Sequence, residues 1–177
     1  MTPRSLLTTL LLTASSAVAL PATVHATTPV YDTVAHVELE RFMGPWYVQG
    51  HTPMVIDDHA TNQIETYTLN ADGSIGTTFT FERDGHKFAL HPTGTVADTT
   101  TNAHWKMQFI WPFSSDYLIV RLAADYSVTV VSVPDKSLIW IMSRSAQMPE
   151  AEYAAIVTEL ASAGYPVAKI NRVQQDQ

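Results

Sequence analysis

The sequence predicts an all-β fold, a barrel or sandwich of eight short strands followed by one helix, and three observations predict it. Runs rich in Val, Ile, Thr, Phe, Tyr and Trp recur about every ten residues with turn chemistry between them. Asn70-Ala71-Asp72-Gly73 and Asp84-Gly85 set glycine where a tight hairpin requires positive φ. After Pro149 the apolar period lengthens from that of a strand to that of a helix.

The first 26 residues stand apart from this pattern: a positive start ending at Arg4, an apolar and small-residue run, and the small-x-small site Val24-His25-Ala26. They read as a secretory signal peptide, with an uncleaved anchor as the alternative. Residues 27–36 read as a flexible leader, 37–173 as the folded domain and 174–177 as a tail. The chain has 177 residues with 10 basic and 17 acidic side chains, net −7, and removal of the signal peptide takes only Arg4 from that set. Such a balance argues against a nucleic-acid partner and against an electrostatic grip on anionic lipid. There is no cysteine. The domain therefore relies on its core and not on disulfides, thiol chemistry is excluded, and no thiol is present for a lipid anchor. In a bacterium the product is expected to be periplasmic or secreted.

The domain opens on Leu39-Glu40-Arg41-Phe42-Met43-Gly44-Pro45-Trp46-Tyr47-Val48, a short amphipathic turn running through Gly44 into a strand. Gly44 turns the chain without a Cβ clash and Pro45 sits where a missing N–H is tolerated. The eight runs are Trp46–Gly50, Asn62–Leu69, Ser74–Arg83, Lys87–Val96, His104–Ile110, Tyr117–Leu122, Ser127–Val133 and Leu138–Arg144. The polar, proline-containing segment His51–Ala60 reads as a long loop. Tyr153, Ile156, Val157 and Leu160 form the stripe of one amphipathic helix that Gly164 ends, and the outer wall of a barrel is the surface available to it. A last short strand fits within Val167–Val173.

Strand side chains alternate, so faces follow by parity. Trp46 and Val48 share a face; so do Ile75, Thr77, Phe79 and Phe81; so do Trp105, Met107 and Phe109; so do Leu138, Trp140 and Met142. An interior built this way is aromatic and thioether-rich. An eight-stranded barrel of this kind either fills with side chains or holds one small ligand, and parity leaves both open.

These residues resemble the lipocalin family, and within it the bacterial lipocalins related to apolipoprotein D, over essentially all of residues 37–173. Gly44-Pro45-Trp46 resembles the family's Gly-x-Trp, Asp125-Tyr126 its Thr-Asp-Tyr with Ala124 a departure, and Arg144 its single late arginine. Phe109-Ile110-Trp111-Pro112-Phe113, Asp116–Val120 and Leu138–Arg144 are similar to the bacterial branch. The resemblance implies an eight-stranded up-and-down antiparallel barrel with a C-terminal α-helix packed on its outer wall. It implies a closed end where Arg144 lies across Trp46, with Gly44, Asp125 and Tyr126 structural. It also implies an open mouth rimmed by the loops at 51–59, 84–85, 111–115 and 134–137.

The ligand implied is hydrophobic, a fatty acid or lysophospholipid, lined by Glu65, Tyr67, Phe79, Phe81, Trp105, Met107, Phe109, Tyr117, Trp140 and Met142. Glu65 is a departure, since the family points this face inward and a buried carboxylate is costly unless paired. Its expected partners are a ligand head group, Arg121 or the Tyr117 hydroxyl, against the alternative that it faces water. No cofactor is expected. His51, His59, Asp57 and Asp58 crowd one loop and read as solvated side chains, not a metal site. His104, Ser114, Ser115 and Asp116 lie close in sequence without a nucleophile elbow, so catalysis is not expected. Trp111-Pro112-Phe113 is a loop tip suited to a lid, to a membrane surface or to a homodimer through the mouth. A filled barrel with a structural or inhibitory role, and an enzyme acting on a small apolar substrate, are the competing functions.

Overall fold

The computed structural model describes residues 32–110 and 112–176; the expected signal peptide and Trp111 lie outside them. Helix α1 (Leu39–Phe42) leads into β1 (Gly44–His51), β2 (Thr61–Leu69), β3 (Ile75–Arg83), β4 (His86–Leu90) and β5 (Thr93–Val96). Strands β6 (His104–Ile110), β7 (Phe113–Leu122), β8 (Val128–Ser132) and β9 (Ile139–Ser143) follow, then helix α2 (Glu150–Ser162) and β10 (Asn171–Arg172). Neighbouring strands pair antiparallel, and β1 closes on β9 with Tyr47 opposite Ser143 and His51 opposite Trp140. A closed sheet leaves no long free edge.

The barrel is eight-stranded because β4 and β5 lie in line against β3, opposite Phe79–Arg83 and Ile75–Gly76 respectively. The run expected as one strand over 87–96 breaks at His91-Pro92. Pro92 has no N–H for the ladder, but its carbonyl still accepts the Thr77 N–H at 3.0 Å, so the sheet continues across the gap. Strand β7 begins at Phe113 and not at Tyr117, which shortens the loop expected over 111–115. The segments flanking residues 37–173 also contact the barrel. Val34 donates to the Ile119 carbonyl at 3.0 Å and packs against the core, so the described end of the leader is held. In the segment read as a tail, the buried Gln175 amide donates to the carbonyls of Val48 (2.8 Å) and Gln63 (3.0 Å).

Helix α2 lies on the outer wall. Ile156 and Leu160 are buried against Val128, Val130, Ile139 and Ile141, with Tyr153 and Val157 at the margin. That is why β8 and β9 are buried along their whole length, on both faces. Each fully buried aliphatic side chain contributes roughly 1.5–3 kcal/mol. Gly164, at φ +80°, ends the helix as expected.

The helix fits because Gly50 has no side chain. A Cβ there would lie 2.4 Å from the Tyr153 hydroxyl and 3.0 Å from its ring, and the ring is itself held under Arg172 at 4.0 Å. Gly50→Ala is therefore expected to cost about 1–3 kcal/mol in chemical denaturation. A Tyr153→Phe background, lacking the nearest atom, should reduce that cost, and an equal loss in both backgrounds would refute the clash.

Candidate functional site

At the closed end, β1 and β9 deliver Trp46 and Arg144 to one another. The Arg144 guanidinium lies 3.8 Å from the Trp46 ring centroid. Its Nη1 donates to Pro45 O (2.8 Å), and its Nη2 points at the carbonyls of Arg41 (2.9 Å), Phe42 (3.0 Å) and Met43 (2.8 Å). A one-turn helix leaves its last carbonyls without partners, and the arginine satisfies them with charge of the favourable sign. The Trp46 indole N–H donates to the Phe42 carbonyl at 2.8 Å. Gly44 takes φ +92°, and a Cβ there would meet Arg144 Nη1 at 3.4 Å. The Asp125 carboxylate accepts from the Ser127 N–H (3.0 Å) and hydroxyl (2.6 Å), shaping the turn that presents Tyr126. The Tyr126 hydroxyl accepts the Glu38 N–H at 2.9 Å, and Arg41 stacks on its ring at 4.0 Å. These motif residues form one seal.

Above the seal the interior is aromatic. Phe42 and Tyr67 each meet Trp105 edge to face, at 5.4 Å and 5.6 Å; Trp105 stacks on Tyr117 at 5.5 Å, and Tyr117 on Trp140 at 6.3 Å. Tyr67, Trp105, Met107 and Met142, expected to line the ligand, are 0–1% exposed within this core. Their surfaces are covered by other side chains, so they form the packed base beneath the candidate site. Gly94 shows how tight that base is, since a Cβ there would sit 2.5 Å from Met107 Sδ. Nearer the mouth Phe79, Phe81 and Leu90 form a separate apolar group, and Phe88 stacks on Phe81 at 5.1 Å. Phe109 departs from its expected place: the β6–β7 register shifts between Met107 and Ile110, and Phe109 is 49% exposed, outside both groups.

Glu65 lies inside, opposite Trp46 on one neighbour and Phe79 on the other, and is 8% exposed. The alternative that it faces water is thereby overturned. Its Oε2 accepts the Tyr67 hydroxyl, which also meets the Tyr117 hydroxyl, and Tyr117 donates to the same oxygen at 3.3 Å. Burial, offset in part by the Tyr117 bond and reinforced by the Asp57 charge, pushes the Glu65 carboxyl up to about 7. Burial and the Glu65 charge push the Tyr117 phenol well above its ordinary value. Arg121, the expected ion-pair partner, instead donates to Glu159 of α2 at 3.0 Å on the outer wall. Thr77, on the inward face of β3 and opposite Tyr67, is 6% exposed, and its hydroxyl has no hydrogen-bond partner among the described residues. Parity placed Thr77 inside; what the sequence did not signal was that its hydroxyl would be left without a bond.

The loop over 52–60 corrects a second expectation. His51 and Asp57 are buried, not solvated, with Nδ1 and Oδ2 3.5 Å apart, while His59 remains exposed. The Gln63 amide donates to His51 Nε2 (3.0 Å) and Ala60 O (3.3 Å), which leaves the imidazole proton on Nδ1, facing Asp57. Asp57 Oδ1 accepts the Met54 N–H at 2.7 Å, and Arg83 Nη1 donates to Ile56 O at 2.7 Å, fastening the loop to β3. Burial lowers the His51 pKa and raises that of Asp57. No group of three or more potential metal ligands occurs among the described residues. His104 and Lys106 both meet Asp116 Oδ1, at 2.5 and 2.6 Å. Burial raises the Asp116 carboxyl, but the Lys106 and His104 bonds outweigh it and hold it below its ordinary value. The loops expected at the mouth expose apolar side chains among polar ones: Val55 is 96% and Phe113 75% exposed, with Ile56 and Phe88 part-exposed, beside the exposed His59 and Asp84.

A closed eight-stranded antiparallel barrel, sealed by Trp46 and Arg144 and carrying one helix on its wall, defines a lipocalin. The Lipocalin-like domain family matches residues 37–175, and the chain belongs to that family. It is similar to temperature-induced lipocalin-1 of Arabidopsis thaliana, 29% identical over 153 residues that cover 81% of this chain and 82% of the relative. It is also similar to the outer membrane lipoprotein Blc of Escherichia coli, 24% identical over 144 residues covering 80% of this chain and 81% of Blc, in keeping with the bacterial branch expected. Among solved structures, lobster apocrustacyanin A1 superposes with a TM-score of 0.63 at 15% identity, over 79% of this chain and 81% of that one. Insecticyanin of Manduca sexta gives 0.63 at 18% identity, over 84% and 86%. At those identities the likeness is one of fold.

Proposed function

We propose that this lipocalin binds and carries a hydrophobic ligand, a fatty acid or a lysophospholipid, within the bacterial cell envelope. Family membership supports hydrophobic-ligand binding and transport in place of catalysis. The observation that carries the reading is an exposed apolar group of Val55, Ile56, Phe88 and Phe113, with Phe88 stacked on Phe81 of the inner Phe79–Phe81 group. Lining that is mostly apolar with few polar groups suits an acyl chain. Each methylene moved from water into it contributes roughly 0.8 kcal/mol. The rim also suits transient contact with a membrane surface or a second copy, where cargo would be exchanged. The envelope setting is supported by the likeness to Blc, an outer membrane lipoprotein by name. Native mass spectrometry of freshly purified protein is expected to show co-purified lipid. After delipidation, palmitate or lysophosphatidylethanolamine should quench the tryptophans saturably; an empty protein that neither ligand quenches would overturn the reading.

A further inference from the structure

Below the Phe79–Phe81 group the barrel interior is not apolar, and that decides what an inserted ligand meets. Glu65, Tyr67, Tyr117 and Thr77 converge there from β2, β3 and β7, all less than one-tenth exposed. Both phenols bond to Glu65 Oε2, and no bond to Oε1 occurs among the described residues. The Thr77 hydroxyl beside Tyr67 is buried without a partner. A buried, unbonded hydroxyl is costly in an empty site and is satisfied by a polar ligand atom. The charge bearing on Glu65 is that of another acid, Asp57, and no lysine or arginine among the described residues compensates it. A purely hydrocarbon end inserted to this depth would desolvate the carboxyl and give nothing back. A carboxylate or phosphate would add a like charge at low dielectric.

We propose that the Glu65–Tyr67–Tyr117–Thr77 floor selects ligands by the group at their inserted end, accepting an aliphatic amine or alcohol and rejecting a carboxylate or phosphate there. An amine pairs with Glu65 and an alcohol bridges Glu65 and Thr77, while an anionic head group is kept at the mouth. The inference rests on the carrier reading and narrows it: a fatty acid or lysophospholipid enters tail first, and its affinity improves when that tail carries a hydroxyl.

The test compares dodecylamine, dodecanol and dodecanoate, equal in tail and different in head, on delipidated protein by tryptophan quenching at fixed ionic strength. The amine is expected to bind more tightly than the carboxylate by roughly tenfold or more, the low end for a desolvated charge pair. Because the chain is acidic overall, the amine-to-carboxylate ratio is also measured in Glu65→Gln, where it should collapse towards unity. In Thr77→Val the affinity for dodecanol should fall several-fold while that for dodecanoate holds. A carboxylate that equals or exceeds the amine in the wild-type protein overturns the proposal without any variant. A ratio unchanged in Glu65→Gln overturns it as well, and in both cases the carrier reading survives. Failure of all three ligands to bind removes both.

Discussion

Trp46→Ala is expected to lower the stability of the domain by about 3–5 kcal/mol, the range for deleting a fully buried large aromatic side chain. For a domain of this size that corresponds to a fall in Tm of roughly 10 °C or more. The indole has no exposed surface, touches Phe42 at a centroid distance of 4.9 Å, and lies under the Arg144 guanidinium. Its removal takes away the contact area, the indole hydrogen bond and the face on which the cation rests. The cation–π contact alone accounts for about 0.5–2 kcal/mol. Arg144→Lys separates these contributions, since it keeps the charge and loses the fork that spans Pro45, Arg41, Phe42 and Met43. That variant should fall between wild type and Trp46→Ala. A Trp46→Ala protein that melts within a few degrees of wild type would show that the seal does not hold the barrel shut.

Between pH 5 and pH 8 the wild-type protein is expected to lose roughly 2–3 kcal/mol of stability relative to Glu65→Gln. In the unfolded chain this carboxyl ionises near its ordinary value of 4.5, and in the folded barrel at about 7. Between those values the native state holds a proton that the unfolded state has released, so raising the pH favours unfolding until the folded group has also ionised. Any advantage of the native acid is thus complete below pH 4.5 and gone above pH 7. His51 acts in the opposite sense: burial lowers its pKa, so the neutral native imidazole loses ground as the pH falls below the ordinary histidine range. Taking the difference between wild type and Glu65→Gln cancels His51 and leaves Glu65. Urea denaturation at intervals across this range would show the effect, and parallel curves for the two proteins would contradict the buried position of the carboxyl.

Much of the fold is legible in the sequence because it depends on periodicity and turn chemistry. The alternation in Ile75–Phe81, the glycines at 73 and 85, and the stripe Ile156–Leu160 each follow from local geometry that tertiary contacts did not override. The seal at Trp46 and Arg144 came from resemblance, since nothing local pairs two residues a hundred positions apart. What was not legible depends on loops and irregularities. His51 and Asp57 look like solvated loop residues until the segment folds back and Arg83 fastens it. Beyond Met107 the register shifts, and Phe109 is half exposed where its parity suggests a covered position. Pro92 splits a strand without ending the sheet, because the carbonyl on its other side keeps one bond. Glu65 was visible as a misfit, but its choice of phenols over Arg121 needed the position of α2, which draws the arginine to the outer wall.

The pairing of β1 with β9 has a consequence for how the chain is made. The first strand of the barrel stays half unzipped until almost the whole polypeptide has emerged, because its lateral partner and the arginine that fastens it are synthesised near the end. Long-range closure of this kind is slow compared with hairpin formation. A newly made chain therefore cannot close into a cylinder until its last strands are available.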